Sequence, residues 1–314
     1  MRAVTVADKR LKFSSDYPDP TPGLGEVLVR VKAAGLNGAD LLQVRGAYPA
    51  PPGAPADIPG LELAGEVVEA GPGVTRFGPG DRVMGIVGGG GQAEFAVVHE
   101  RQLMPIPGAL DYVQAGGFSE TFTTAHDAVV MQAGLRPGER LLVHGAAGGV
   151  GTAAVQIGRE IGASVVATTR HPQFDEQLKA LGAEVVTRPS EHHSSGPFDV
   201  VLELIGGENL GDDVKALATG GRVAIVGVGG GIKAELNLLA LMSVRGRVLG
   251  TTLRSRPLEE KALTARAMER EVLPLVARGR LTVPVAATYP VEEAEAAYAH
   301  FKNGAKFGKV VLTF

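Results

Sequence analysis

From residue 141 onward the chain alternates short apolar segments with segments of helical pattern, and this alternation limits the possible folds more than any other feature. The apolar segments, each expected to be a strand, are residues 141–144, 164–168, 184–187, 199–204, 222–226 and 247–251. Helices are expected over residues 150–161, 173–181 and 209–217. Successive strand, helix and strand units require a parallel sheet with both faces covered. This region is therefore predicted to be a doubly wound α/β domain.

The first third of the chain has a different pattern, in which glycine and proline clusters separate short strands. These strands are expected over residues 26–34, 63–70, 82–87 and 92–99. The pattern is typical of a β-barrel or a sandwich. Residues 48–59 carry five prolines and are a candidate pocket wall. After the α/β region we expect a helix over 258–276 that bends or ends near Pro274, a helix over 292–303 and a last strand over 309–314.

Composition excludes several classes of site. The 314 residues include no cysteine, which removes disulfides, thiolate zinc sites, iron–sulfur clusters and thiol nucleophiles. Redox chemistry would then need a bound organic cofactor. The formal charge of -3 provides no basic field for nucleic acid or an anionic membrane. No apolar segment follows a basic start at the N-terminus, so a cytoplasmic location is expected.

A glycine-rich turn, residues 145–151, leads from the first strand of the α/β region into its first helix. Glycine permits a tight turn, a close approach of the backbone to a pyrophosphate, and close packing of helix on sheet. Free amides and the positive end of a helix starting near Gly149 also favour phosphates. We predict a dinucleotide site at Gly145, Gly148, Gly149 and Val150. The alternative is a turn of purely structural use.

The end of the second strand indicates which dinucleotide is bound. An Asp or Glu there commonly holds the ribose of NAD, but residues 167–170 read Ala-Thr-Thr-Arg, with no acid before Asp175. Hydroxyls and guanidinium groups can accept a 2'-phosphate. We therefore predict NADPH, bound by Thr168 and Arg170, with Arg188 as a further wall. Alternatively, either arginine is only a solvated surface charge.

Further short motifs occur along nearly the whole chain. They are residues 34–37 with Asp40, 46–49, 59–65, 78–83 and 308–311. In this order, and together with the glycine turn, they resemble the medium-chain dehydrogenase/reductase superfamily, most closely its zinc-free quinone oxidoreductases related to zeta-crystallin. The resemblance implies a GroES-like β-barrel catalytic domain made of residues 1–118 and 256–314. It also implies a Rossmann NADPH-binding domain made of residues 119–255.

The sequence departs from the zinc alcohol dehydrogenases of this superfamily at the metal site. Their cysteine ligand stands where this chain has Asn37, and their histidine where it has Leu61; only Glu62 matches. One carboxylate and an amide cannot supply the converging ligands that zinc prefers. We expect no metal here, and we expect Glu62 to form an ion pair or to anchor a loop.

The resemblance implies metal-free hydride transfer from NADPH to a quinone, an acceptor electrophilic enough to need no Lewis acid. Asn37 and Asp40 would lie near the nicotinamide or shape its pocket. Tyr48 would point into the substrate cleft, where its phenol either hydrogen-bonds the acceptor oxygen or simply covers the cleft. Two alternatives remain: a reductase of enone or alkenal double bonds, and a non-catalytic NADPH-binding protein.

Other expected cofactor contacts follow from the fold and the resemblance. Gly206 and Gly227 end the fourth and fifth strands of the predicted parallel sheet, at the edge where such sheets bind ligands. The resemblance adds Thr124, Leu253 and Lys309.

Two expectations concern assembly and metals. The strand at residues 247–251 would be a sheet edge, and in the family this edge commonly joins two subunits, so a homodimer is expected. The histidines are not expected to form a metal set, because His144 is assigned to a strand while His192 and His193 lie in a polar loop.

Overall fold

The computed structural model describes residues 1–314, which form two compact units. The split unit comprises Met1–Thr123 and Leu253–Phe314, and the parallel-sheet unit comprises Thr124–Thr252. The boundaries expected from the resemblance, 118/119 and 255/256, lie a few residues from these positions. No helix in either unit combines the length and the apolar character needed to cross a membrane.

Fifteen strands and ten α-helices make up the two units. The strands are β1 Ala3–Ala7, β2 Arg10–Ser14, β3 Glu26–Gly35, β4 Glu62–Ala70, β5 Arg82–Ile86, β6 Phe95–His99, β7 Leu103–Pro105, β8 Arg140–Val143, β9 Ser164–Thr168, β10 Val185–Thr187, β11 Phe198–Glu203, β12 Leu217–Ile225, β13 Arg247–Gly250, β14 Val285–Pro290 and β15 Lys309–Thr313. The helices are α1 Gly38–Val44, α2 Tyr112–Gly116, α3 Ser119–His126, α4 Gly149–Ile161, α5 Asp175–Leu181, α6 Leu210–Lys215, α7 Leu238–Ser243, α8 Leu258–Glu271, α9 Leu273–Ala277 and α10 Ala294–Asn303.

The parallel-sheet unit contains one six-stranded sheet in the order β10-β9-β8-β11-β12-β13, and every neighbouring pair is parallel. Its central strands are short runs of Val, Leu and Ala that are fully buried, as in Leu141, Leu142 and Val143 of β8. Such runs fit a sheet covered on both faces. The predicted doubly wound α/β domain is confirmed.

The strand order places β8 between β9 and β11. Because parallel strands run the same way, the loops that follow β8, β9 and β11 leave from one edge of the sheet. Helix α4 follows β8 and ends at Ile161, since Gly162 adopts the left-handed conformation with φ of 87°. Seven of the thirteen residues predicted to hold the cofactor lie in these loops or directly beside them.

The split unit contains a seven-stranded sheet and the antiparallel hairpin β1-β2. The main path of the sheet is β14-β15-β3-β4-β5-β7, and β6 also pairs with β3. Along β3, Val27, Val29 and Val31 alternate into the core, where they are at most 1% exposed. The strand expected over residues 92–99 is shorter than predicted, because β6 begins at Phe95.

Helices of the split unit follow the expected pattern in its C-terminal segment. The helix predicted over residues 258–276 is divided into α8 and α9 at Val272, just before Pro274. This is where the proline was expected to interrupt it. By contrast, α1 was not predicted, since its seven residues are too few to show a helical period.

Candidate functional site

The turn between β8 and α4 requires glycine at two positions for steric reasons. Gly145 has φ of 62°, a conformation that side chains disfavour. A Cβ on Gly151 would lie 2.5 Å from the carbonyl oxygen of Gly145 and 2.6 Å from the Cα of Ala146. Helix and strand thus approach so closely that only glycine fits, which is the packing expected of a dinucleotide-binding turn.

The N-terminus of α4 presents its amides without a side-chain cap. Gly148 is the N-cap residue, in extended conformation, and Gly149 and Val150 form the first turn. Since no side chain satisfies these first amides, a bound anion can do so, assisted by the helix dipole. The predicted residues Gly145, Gly148, Gly149 and Val150 are therefore together in one turn whose first helical amides have no side-chain partner.

Thr168 and Arg170, at the end of β9, differ in what they can offer a ligand. Thr168 is completely buried, and its Oγ1 lies 3.0 Å from Nδ1 of His144. Its hydroxyl is thus used inside the unit. Arg170 is exposed and forms no ion pair. Of the two predicted ligands of a 2'-phosphate, Arg170 is the one whose polar atoms are accessible.

Arg188 is held within the protein. Its Nη1 and Nη2 donate to the two carboxylate oxygens of Asp175 at 3.0 and 2.5 Å, and Nη1 also donates to the carbonyl of Thr169 at 3.0 Å. Arg188 therefore supports the backbone immediately before Arg170, rather than offering an unpaired guanidinium.

Gly206 and Gly227 follow β11 and β12 at the carboxyl edge, and both have a packing reason to be glycine. A Cβ on Gly206 would lie 2.7 Å from the carbonyl oxygen of Gly231, and one on Gly227 would lie 1.9 Å from that of Leu204. Two further predicted cofactor contacts, Thr124 in α3 and Leu253, are buried, at 7% and 6% exposed.

The split unit contains a buried polar cluster formed by Asn37, Glu62 and Lys309. Nζ of Lys309 donates to the carbonyl of Leu36 at 2.7 Å and to Oδ1 of Asn37 at 2.8 Å, and it lies 2.7 Å from Oε1 of Glu62. Nδ2 of Asn37 donates to Glu62 at 3.0 Å. Glu62 thus forms the expected ion pair. All three donors of Lys309 are used here, so a cofactor contact through Nζ would have to break one of these interactions.

Asp40 lies beside this cluster and is fully buried. Its carboxylate accepts hydrogen bonds from the amides of Asn37 at 2.8 Å and Gly60 at 3.1 Å. Burial raises the pKa of Asp40 to about 6, although these two amides and the charge of Lys309 lower it in part. Asn37 and Asp40, predicted to act together, are directly hydrogen-bonded.

Tyr48 lies in the proline-rich loop and contacts Arg254. The Arg254 guanidinium stacks over the Tyr48 ring at 4.9 Å, and its Nη1 donates to the Tyr48 carbonyl at 2.9 Å. The same guanidinium donates to Gly88 and Gln43. Burial lowers the pKa of Arg254. Arg254 therefore fixes the loop that carries Tyr48, a role that no local sequence signal indicates.

The residues of this cluster do not fit the zinc of the related alcohol dehydrogenases. Glu62 is the single carboxylate among Asn37, Leu61 and Glu62, and the Lys309 ammonium lies directly against it. A lysine cation and a zinc ion could not share that space, and the amide and alkyl side chains are poor zinc ligands. We therefore assign no chemistry to a metal at this position.

A second buried cluster brings together two histidines that the sequence assigned separately, one to a strand and one to a polar loop. In the parallel-sheet unit, the rings of His144 and His192 meet edge to face with centroids 4.8 Å apart, and Asp213 contacts both. No local pattern links these histidines, which are 48 positions apart in the chain. The short 3-10 helix His192–Ser195 brings His192 back beneath the end of β8.

Comparisons with known proteins agree with this architecture. The family described as "Alcohol dehydrogenase GroES-like domain" matches residues 23–108, and the one described as "Zinc-binding dehydrogenase" matches residues 161–312. The quinone oxidoreductases of Rattus norvegicus and Homo sapiens are 33% and 31% identical, each over 99% of this chain and 97% of its own length.

Other relatives have different names. The spectinabilin polyketide synthase system protein NorB of Streptomyces orinoci is 37% identical over 92% of this chain but only 13% of its own length. Among solved structures, an alcohol dehydrogenase superfamily protein from Novosphingobium aromaticivorans has 30% identity and a TM-score of 0.88. A thermostable alcohol dehydrogenase from Pyrobaculum aerophilum has 31% and 0.87. Each of these two matches covers 100% of this chain and 99% of the matched structure's chain.

Similarity at this level identifies the family without selecting an acceptor, because relatives of different names match about equally well. The expected GroES-like and Rossmann folds are confirmed. The chain therefore belongs to the medium-chain dehydrogenase/reductase superfamily, as an oxidoreductase whose full-length relatives include quinone oxidoreductases.

Proposed function

We propose that the protein is an NADPH:quinone oxidoreductase that works without a metal. Members of the superfamily use a nicotinamide cofactor, and the glycine turn at the start of α4 fits the pyrophosphate of one. When bound, the nicotinamide supplies the hydride. The observation that carries the proposal is this turn, in which a Cβ on Gly151 would overlap the backbone at 2.5 Å.

The preference for NADPH rests on the end of β9. The Ala-Thr-Thr-Arg sequence there contains no carboxylate, and Arg170 is exposed and forms no ion pair. A 2'-phosphate would give Arg170 a charge-assisted hydrogen bond. Arg188 contributes indirectly, because it holds the carbonyl of Thr169.

In the split unit, we assign the chain's own residues two tasks: they orient the reacting groups, and they exclude water from them. Every polar atom of the Asn37 side chain is used, since Nδ2 donates to Glu62 and Gly35 while Oδ1 accepts from Lys309. This network fixes the amide. We assign Asn37 and Asp40 the shaping of the nicotinamide pocket. We assign the Tyr48 phenol the hydrogen bond to the acceptor oxygen, with Arg254 holding its loop.

A quinone suits this site because hydride addition to it needs no Lewis acid. The second candidate acceptor is an enone or alkenal double bond, which would use the same hydride geometry. Both acceptors take a hydride in the same way. A non-catalytic NADPH-binding protein would reduce neither.

The test is NADPH oxidation followed at a fixed enzyme concentration with ortho-quinones, para-quinones, an enone and no acceptor. We expect quinone-dependent oxidation, with NADPH preferred to NADH. Faster turnover with the enone would favour the second candidate. A response no greater than the acceptor-free rate, in a protein that binds NADPH by calorimetry, would leave only the non-catalytic alternative.

We also propose that the protein is a cytoplasmic homodimer. Strand β13 pairs with β12 alone and is an open sheet edge. Nearby in the chain, α7 exposes Leu238, Leu239 and Met242 at 64%, 74% and 70%. Exposed apolar side chains of this kind favour a partner surface. A monomer mass by light scattering at micromolar concentration would contradict the dimer.

A further inference from the structure

The buried cluster of the parallel-sheet unit contains two imidazoles and two carboxylates from four different elements. His144 follows β8, His192 begins the 3-10 helix after β10, Glu203 ends β11 and Asp213 lies in α6. All four side chains are at most 2% exposed. The proposed hydride transfer uses none of them, so the cluster requires a separate explanation.

The hydrogen bonds of the two histidines point one nitrogen of each ring toward Asp213. Nδ1 of His192 lies 2.6 Å from the carbonyl of Pro189, and since a carbonyl can only accept, Nδ1 carries the proton. When the ring is neutral, Nε2 then carries a lone pair and no proton, and it lies 3.5 Å from Oδ1 of Asp213. Nδ1 of His144 contacts Oγ1 of Thr168 at 3.0 Å, and its Nε2 lies 2.8 Å from the same Asp213 oxygen.

Two polar atoms in this cluster have no hydrogen-bond partner. They are Nε2 of His192 and Oδ2 of Asp213. Leaving such atoms buried and unsatisfied is costly, and a native structure that does so usually places an ion or a water there.

The charges of the cluster are also unbalanced. The ion-pair contacts of Asp213 and Glu203 are with the two histidines alone, and no lysine or arginine contacts either carboxylate. Oxygens of Glu203 accept from the amide of Gly206 at 2.7 Å and from Asn209 at 3.0 Å, so that carboxylate is oriented but not neutralised. A divalent cation bound by the two imidazoles would balance the two buried carboxylates.

We propose that His144, His192 and Asp213 bind one divalent transition-metal ion, for which Zn²⁺ is the best match. Their three ligand atoms all lie within 4.8 Å of one another. Zinc bonds of about 2.0–2.2 Å in a tetrahedron place ligand atoms roughly 3.3 Å apart, close to the 2.8 and 3.5 Å found here. Glu203, with Oε2 4.0 Å from Nε2 of His144, is the candidate for the fourth position.

The surroundings match those of metal-bound histidines in general. A ligating histidine usually donates its other ring N–H to a carbonyl or a similar acceptor, which fixes the ring. Pro189 and Thr168 are placed to accept from His192 and His144. The ion would have a structural role, since it would join the ends of β8 and β11 to α6. It is independent of the proposed hydride transfer.

The alternative occupant is the proton. Without a cation, burial raises the pKa of Asp213 to about 7 and also raises the pKa of Glu203, so shared protons could neutralise the carboxylates. The two occupants are distinguished by metal analysis.

The first experiment uses the wild-type full chain. It is incubated with Co²⁺, and separately with Zn²⁺, at neutral pH and freed of excess ion. We expect one ion per chain, a cobalt absorption spectrum typical of four-coordinate nitrogen and oxygen ligands, and an anomalous diffraction peak beside His192. No bound cobalt, or a peak at any other position, would overturn the proposal without any variant being needed.

The second experiment localises the ligands with variants. His192→Gln and Asp213→Asn should bind far less Co²⁺ than wild type and should lose the rise in melting temperature that Zn²⁺ produces. The matched control is His193→Gln, which changes the adjacent but exposed histidine and should bind one ion normally. Equal loss in the control, or full cobalt binding by folded His192→Gln, would contradict the assignment.

Discussion

Two buried polar clusters, one in each unit, differ in how their charges are balanced. In the split unit, the donors of Lys309 are all taken by Leu36, Asn37 and Glu62, so a positive charge balances the buried carboxylate from within. In the parallel-sheet unit, Glu203 and Asp213 have no lysine or arginine partner, the first turn of α4 has no side-chain cap, and exposed Arg170 has no ion pair. The cluster around Lys309 is thus balanced from within, whereas these groups of the parallel-sheet unit are available to a ligand.

Removing the ammonium group of Lys309 should lower the free energy of unfolding more than any other change predicted for this protein. Lys309→Met would leave Glu62 buried without its partner, and breaking a buried ion pair costs about 3–5 kcal/mol. We expect the urea midpoint of unfolding to fall by a corresponding amount. The control Lys302→Met removes an exposed lysine from α10 and should change stability by less than about 0.5 kcal/mol.

A double variant refines this prediction. Lys309→Met combined with Glu62→Gln removes the uncompensated charge and should recover part of the lost stability. If Lys309→Met alone proves no worse than Lys302→Met, the split unit is not held together by this pair.

The pH dependence of stability should differ between the units. An unfolded Asp titrates near 3.9, while Asp40 in the folded protein has a pKa of about 6. Because the folded value is higher, the contribution of Asp40 is complete below about pH 4 and is lost as pH rises through 6, an effect of up to about 3 kcal/mol. Asp40→Asn should flatten the curve of urea midpoint against pH in this window, and an unchanged curve would contradict the assignment.

The contribution of Asp213 to folding stability should also be lost as pH rises. Because burial raises the pKa of this carboxyl to about 7, the loss should extend to a pH near 7. A bound divalent ion would remove that component by replacing the proton. Recording the curve of Asp213→Asn, and that of wild type with and without Zn²⁺, separates the two units in one experiment.

Removing the guanidinium of Arg170, at the end of β9, should weaken binding of NADPH and not of NADH. A hydrogen bond to a charged group contributes about 1.5–3 kcal/mol, so Arg170→Ala should raise the KM for NADPH about 10- to 100-fold and leave NADH unaffected. Arg136→Ala, an exposed arginine before β8, serves as the control. An equal change for both cofactors would show that Arg170 does not recognise the 2'-phosphate.

The smallest predicted effect concerns Tyr48. Tyr48→Phe retains the ring beneath Arg254 and the backbone carbonyl that Arg254 contacts, so only the phenol is lost. One neutral hydrogen bond contributes about 0.5–1.5 kcal/mol, and kcat with a quinone should fall about three- to ten-fold while the KM for NADPH stays constant. Tyr289→Phe is the control. Unchanged kcat would leave the phenol without a catalytic part.

Local sequence patterns were sufficient for the six strands of the parallel sheet, the glycine turn and the helix break before Pro274. Each of these depends on neighbours in the chain: apolar runs predict buried strands, and glycine and proline act on their own backbone. The resemblance added the order of the two domains. The pairing of Arg254 with Tyr48, and of Lys309 with Glu62, had no local signal, because these partners are about 200 or more positions apart.

Because strand, glycine turn and helix are contiguous, their pattern was enough to predict a parallel α/β unit with a turn suited to phosphate. Which side chains are free to act became visible in the folded protein alone. Folding turned the Thr168 hydroxyl inward to His144, enclosed Lys309 against Glu62, and joined His192 to Asp213. Burial and hydrogen-bond partners come from distant segments of the chain, and they decide whether a polar group is used within the protein or left for a ligand.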